Sequence, residues 1–226
     1  MLTQTDLALC RLNRTKPYQF TGRYKDGIAF WTLRGLVPYC VGDMRVPRTF
    51  VFVDISGFTN FTTSRGDDAA GRLLSAWRAV TRDVASETGV RIAKWLGDGC
   101  MVVAVQQHDA IIFAMELQKR SGAACAPLSI RTGMATGLAL LFEGDDYIGS
   151  AVNTAARLCD AAEPLEVLIP AEHVGELPEG VTIVKHAPLS MRGLPEAIPV
   201  VVLTGAPTNT AKNDTGELWT RSPSVF

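Results

Sequence analysis

Two aspartates stand where an acid group carries a cost. Asp54 closes the apolar run Phe50–Val53, and Asp98 lies between two glycines in the stretch KWLGDG, Lys94–Gly99. A carboxylate at the end of a buried strand is unfavourable unless it is paired or metal-bound. Taken singly, Asp54 also reads as a cap for the turn Ser56–Thr59, and Gly97-Asp98-Gly99 as an ordinary hairpin tip. Taken together, the two carboxylates meet at one edge of a sheet if the strand ending at Asp54 lies beside that hairpin. Such a pair suits hard divalent ions, which prefer oxygen ligands. Two ions clamping the attacking and leaving oxygens are a general solution for phosphoryl-type displacement. Farther on, Asn153 and Arg157 are four apart in a helical stretch and share one face. That face is either solvated surface or an amide and a guanidinium aimed at a phosphorylated sugar, since the planar fork of arginine matches phosphate oxygens.

The elements that must position these side chains are legible in part. Phe50–Val53 reads as a strand stopped at Asp54, with Gly57 marking a turn. Asp67 and Asp68 cap a helix in which Leu73, Trp77, Val80 and Val84 recur at helical spacing and which ends at Gly89. Val90–Leu96 and Cys100–Val105 form a hairpin through Gly97-Asp98-Gly99. His108–Gly122 reads as a second helix, Leu128–Met134 as a strand that Gly137–Phe142 continues, Glu143–Asp146 as a turn and Ser150–Cys159 as a third helix. Val167–Ile169, Val181–Val184 and Pro199–Leu203 are later strands. Strand, helix, hairpin, helix, strand is the order of an α+β, ferredoxin-like βαββαβ core, here extended by C-terminal strands. Residues 1–46 show no clear periodicity and read as an N-terminal arm, residues 47–205 as the main domain, and residues 206–226 as a polar, flexible tail.

Bulk composition narrows the function classes. The 226 residues carry 22 basic and 23 acidic side chains for a net charge of −1. That balance gives no reason to expect a nucleic-acid binder, which usually carries a basic face, although it leaves room for a local basic patch. The five cysteines (Cys10, Cys40, Cys100, Cys125, Cys159) form no CxxC pair, and the three histidines show no zinc spacing. They read as free thiols in a reducing compartment. No apolar run approaches the ~18 residues of a membrane span, and the N-terminus lacks a signal-peptide layout, so a soluble, cytoplasmic protein is expected. There is no GxxxxGK[ST] loop, and GDGCMV lacks the third glycine of a dinucleotide fingerprint.

Three separated segments, FVDISGFT, KWLGDG and DDYIGSAVNTAARL, resemble the catalytic domain of class III nucleotide cyclases over about residues 48–203. The likeness is to small bacterial, mycobacterial-type homodimeric members. The resemblance implies that Asp54 and Asp98 bind two divalent cations per site, Mg²⁺ or Mn²⁺, with the Ile55 carbonyl as a further ligand. It implies that Lys94 and Asp146 read the purine and that Asn153 and Arg157 act on the transition state. The SGFT turn, with Phe58 and Thr59, would offer backbone N–H groups to the triphosphate at a helix start. In LSMRGLPE, Arg192 stands where the family carries a triphosphate-binding lysine, which keeps the charge and changes its geometry. Metal ligands come from one subunit and purine and transition-state residues from the other, so a head-to-tail, C2-symmetric homodimer with two composite sites is implied.

The purine pair suits adenine. N1 of adenine accepts and its 6-amino group donates, whereas Lys94 only donates and ionised Asp146 only accepts. Guanine presents the opposite polarity at both positions. The expected activity is therefore adenylate cyclase acting on ATP, without nucleic-acid or membrane partners, with residues 1–46 as a candidate regulatory contact. The alternatives are a guanylate cyclase and a catalytically silent nucleotide-binding dimer. A polymerase palm or GGDEF-type diguanylate cyclase shares the two-carboxylate logic, but the chain has no GGDEF stretch and little room for fingers and thumb.

Overall fold

A computed structural model describes residues 21–25, 28–32, 45–142, 146–190 and 197–207. Contacts divide the chain into residues 1–43 and residues 44–226. In the first unit, β1 (Thr21–Lys25) pairs antiparallel with β2 (Ile28–Thr32). No regular element was expected there, although Asp26-Gly27 in the sequence between them is a two-residue hairpin signal.

The second unit is built on β3 (Arg45–Ser56), followed by α1 (Phe58–Arg65), α2 (Asp67–Thr88), β4 (Arg91–Leu96), β5 (Gly99–Ala104), α3 (Gln107–Ala124) and β6 (Ser129–Phe142). Then come β7 (Asp146–Ile148), α4 (Ser150–Ala161), β8 (Val167–Pro170), β9 (Val181–Leu189) and β10 (Ile198–Gly205). The sheet runs β4-β5-β3-β6-β8-β10-β9, with β7 paired to the far end of β6. The first four strands of this unit, in the order β4-β5-β3-β6 with α2 and α3 as crossovers, are the ferredoxin-like α+β core. The later strands extend its β6 edge.

Alternation along β3 divides its side chains between two cores. Val51, Val53 and Ile55 pack with Trp77 and Val84 of α2 and Ile111, Phe113 and Leu117 of α3. Phe50 lies on the other face with Met101, Val103, Ala135 and Ala139 and with Ala151 and Ala155 of α4. The α2 stripe Ala70, Leu73, Trp77, Thr81 and Val84 is buried at the spacing of one helix face. α4 approaches β6 backbone to backbone. A Cβ on Gly133 would stand 2.1 Å from the Cys159 nitrogen and 2.4 Å from the Ala155 oxygen, so only glycine admits the helix that carries Asn153 and Arg157.

Three expectations are corrected. β3 does not stop at Asp54 but continues to Ser56, because β6 pairs with it through Ser56↔Ser129. The α2 cap is Gly66, and Asp67 and Asp68 occupy the first turn, where their charge complements the helix dipole. Asp146 is not in a turn but opens β7, opposite Phe142. The helix expected to start at the SGFT turn has no extent in the sequence reading; α1 runs to Arg65 and buries no residue, so it leaves no apolar stripe to detect. Of the expected flexible tail, residues 208–226 lie outside the described residues.

Leu165, in the connection from α4 to β8, has φ +67 and is half-exposed. The left-handed region costs a β-carbon residue about 1–2 kcal/mol, and glycine returns part of that as unfolded-state entropy. Leu165→Gly is expected to stabilise the fold by about 0.5–1 kcal/mol, read as a rise in thermal midpoint without change in activity.

Candidate active site

Strand register brings the first group of polar side chains together. Asp54 on β3 lies opposite Gly99 of β5 and opposite Arg131 of β6. Asp98 is therefore diagonal to Asp54 at the tip of the β4–β5 hairpin. Arg131 donates from Nε (3.0 Å) and Nη2 (2.7 Å) to one oxygen of Asp54, Oδ2, and from Nη1 to the Asp160 carbonyl at 2.9 Å. The other oxygen, Oδ1, faces the hairpin. A Cβ at position 99 would meet it at 3.3 Å and the Val53 carbonyl at 2.7 Å, so Gly99 keeps the space between strand and hairpin open. A pocket of about 200 Å³ is lined there by Asp54, Leu96, Gly99, Cys159 and Asp160.

Burial, with the Asp54 carboxylate as a smaller cause, pushes the Asp98 carboxyl above its usual range. Two half-buried acids this close favour a cation between them. Among the described residues no group of three or more His, Cys, Asp or Glu side chains converges. The pair fits divalent ions that complete their shells with water and substrate oxygens. Soft metals fit poorly, because burial pushes the neighbouring Cys159 thiol up to about 12 and Cys100 upward as well. The Ile55 side chain is buried and its backbone lies in the β3–β6 ladder.

A raised carboxyl pKa has a signed consequence. The folded protein binds the Asp98 proton more tightly than the unfolded chain does, so stability is lost as pH rises through the folded-state value. Asp98→Asn is expected to melt higher than the metal-free parent at neutral pH. The gap should close as pH falls toward the ordinary carboxylate range near ~4. Melting curves across that window check it; an unchanged or lower midpoint at neutral pH would contradict the burial argument.

A second group forms on the same protomer. Lys94 on β4 and Asp146 at the start of β7 make an ion pair, Nζ to Oδ1, at 2.9 Å. The Asp146 carboxyl is lowered first by the Lys94 hydrogen bond and then by the Tyr147 N–H, which donates to Oδ1 at 2.9 Å. Tyr147 is held edge-on against Phe50, ring centroids 5.4 Å apart. Among the described residues no hydrogen bond or ion pair links Lys94 or Asp146 to Asp54, Asp98 or Arg131.

Asn153 is exposed on α4, and Arg157, one turn on, is half-buried. Arg157 Nη1 is buried and has no hydrogen-bond partner among the described residues. Phe58 and Thr59 open α1, whose first internal bond is Phe61 N–H to the Gly57 carbonyl; earlier N–H groups have no intrahelical acceptor. Arg192 lies outside the described residues. Arg131 is the residue that sequence reading missed. In SIRTGM it looks like one polar position of an alternating strand, and only the register opposite Asp54 reveals it.

A sequence profile of the adenylate and guanylate cyclase catalytic domain matches residues 46–205. An uncharacterised protein of Mycobacterium tuberculosis is 35% identical over 142 residues, 63% of this chain and 37% of that protein. An adenylate cyclase of Streptomyces coelicolor is 29% identical over 126 residues, 56% of this chain and 33% of that protein. The match thus spans between 33% and 37% of the length of these two curated relatives. The adenylyl cyclase CyaB from P. aeruginosa is similar in structure, with a TM-score of 0.64 at 25% identity over 73% of this chain and 96% of that one.

Proposed function

The chain belongs to the class III nucleotide cyclases, through its adenylate and guanylate cyclase catalytic domain, and from that membership we propose that it is an adenylate cyclase converting ATP to 3′,5′-cyclic AMP and pyrophosphate. The observation that carries the choice of ATP is the 2.9 Å Lys94–Asp146 pair. It presents a donor and an acceptor side by side, the complement of adenine N1 and its 6-amino group. Guanine would set donor against donor and acceptor against acceptor.

The rest of the site serves an in-line displacement. The ribose O3′ bonds to the α-phosphorus, the bond to the bridging oxygen of the β-phosphate breaks, pyrophosphate leaves and the hydroxyl proton is released. Bound at Asp54 and Asp98, two divalent cations would supply acidification of the 3′-hydroxyl and charge neutralisation on the triphosphate. Arg157, whose buried Nη1 has no hydrogen-bond partner among the described residues, suits the charge that develops on the α-phosphate. Asn153 on the same face suits orientation of the ribose. The N-terminus of α1 offers N–H groups to the β- and γ-phosphates, and Arg131, released from Asp54, is a second cation within that region.

A homodimer with composite sites is part of the same proposal, and the arrangement of the two groups supports it. Each protomer holds a carboxylate–Arg131 group and a Lys94–Asp146 group with no hydrogen bond or ion pair between them among the described residues, and on this reading one nucleotide uses both. Leu138, Phe142 and Ile148, exposed on one face of β6 and β7, add apolar surface that a second copy would cover. Soluble, cytoplasmic operation is part of the same proposal; among the described residues no helix is long and apolar enough to cross a membrane.

The test is an assay of purified protein with ATP and with GTP, each with Mg²⁺ and Mn²⁺, over a protein concentration series. Cyclic AMP formation with specific activity rising with concentration is expected. Preferred turnover of GTP would overturn the adenine argument, and no product from either nucleotide would favour a silent binding module.

A further inference from the structure

The hairpin that carries Asp98 is tied to α2 by a side chain outside the site. Arg78 donates from Nη2 to the Gly97 carbonyl at 2.8 Å, a bond between residues 19 apart in sequence. Its guanidinium lies 4.9 Å from the centre of the Trp95 ring, and that of Arg82 lies 5.2 Å from the same ring. Trp95 is braced in turn by the fully buried Trp77, edge to face at 5.7 Å. Arg78 itself is half-buried, although its bond to the exposed Gly97 lies at the surface.

The geometry bears directly on Asp98. The Gly97 carbonyl and the Asp98 N–H belong to one rigid peptide plane. Holding the carbonyl fixes the tilt of that plane and hence the direction in which the Asp98 side chain leaves the tip. The tip needs such restraint. Gly97 and Gly99 flank Asp98, and β4 is an edge strand. Arg82 stacks on the same ring but makes no hydrogen bond to the hairpin among the described residues.

We infer that Arg78 is a positioning residue for the metal site: clamped between Trp95 and the Gly97 carbonyl, it holds Asp98 within reach of the cation that Asp54 shares. This rests on the reading of Asp54 and Asp98 as metal ligands. Arg78 touches neither substrate nor metal, and its effect belongs to cation affinity.

The test uses full-length protein and Mn²⁺ alone, with free Mn²⁺ measured by electron paramagnetic resonance and amide hydrogen exchange followed at residues 96–100. Arg78→Gln is expected to weaken Mn²⁺ binding about tenfold or more, the usual cost of losing a group that orients a ligand, and to speed exchange at the hairpin tip. The Mn²⁺ needed for half-maximal turnover rises in step, while kcat at saturating Mn²⁺ stays within about twofold. Arg78→Lys, which can still donate one bond to the carbonyl, recovers part of the affinity and keeps the inference testable if the glutamine variant folds poorly. Arg82→Gln loses the stack without the bond and leaves Mn²⁺ binding at the parent value.

Parent-like Mn²⁺ binding and tip exchange in Arg78→Gln overturn the inference, as does an equal loss in Arg82→Gln. Asp98→Ala separates this failure from that of the underlying reading. If it too binds Mn²⁺ like the parent, the carboxylate pair is not the metal site and both fall. If it loses Mn²⁺ while Arg78→Gln does not, only the role of Arg78 falls.

Discussion

Asp54→Ala protein and Arg157→Ala protein, each expected to lose about 10³-fold or more in turnover, should recover about a quarter of the parent specific activity when mixed in equal amounts. The loss follows from what each group does. On the proposed reading Asp54 is one of two carboxylates that hold the cations, and Arg157 brings a buried Nη1, without a partner among the described residues, to the developing phosphate charge. The recovery follows from geometry. If metal ligands come from one subunit and Arg157 from the other, a mixed dimer places both defects in one site and leaves the second intact. Random exchange makes half the dimers mixed, and half of their sites work. A mixture as inactive as its parents, with subunit exchange shown independently, means that no site is shared.

Lys94→Glu is expected to lower kcat/KM for ATP by about 10²-fold or more and to remove most of the preference for ATP over GTP, since Asp146 still opposes guanine O6. Each mismatched polar pair in a desolvated site costs about 1–3 kcal/mol, so the parent should favour ATP by about 30-fold or more across two positions. A glutamate at position 94 would accept from guanine N1–H and meet adenine N1 as a second acceptor. It also removes the cation from the 2.9 Å pair and leaves Asp146 beside a like charge. Comparing kcat/KM for both nucleotides in the parent and the variant checks this; a variant that keeps the parent's full preference for ATP removes Lys94 from base selection.

The legibility of this fold in the sequence varies with how much apolar surface each element buries. α2 was read nearly to its ends because Leu73, Trp77 and Val84 form a buried stripe and Gly89, at φ +69, is a left-handed stop. Only the start of α1 is legible, at SGFT, because an eight-residue helix with no buried residue has no stripe to show its length. β6 was read in two pieces, since the small residues of TGMATG carry little strand preference; pairing with β3 over twelve positions makes it one. The site divides in the same way. Asp54 and Asp98 stood out because a carboxylate beside an apolar run needs a reason. Arg131 and Arg78 did not, because an arginine on a strand or helix face is ordinary until register and side-chain reach give it a partner.

The Asp54–Arg131 pair has one more consequence. As the chain stands, the guanidinium holds one carboxylate oxygen at 2.7 Å, the same charge a cation would neutralise. A metal bound at Asp54 would therefore compete with the guanidinium, and phosphate at Arg131 would compete with the carboxylate. A cation arriving at Asp54 would free Arg131 to meet phosphate oxygens, and phosphate holding Arg131 would free Asp54 for the cation. Each ligand then raises the affinity of the other by the same factor, as any coupling between equilibrium binding steps requires. Metal and nucleotide would enter as partners, and neither alone would fill the site well.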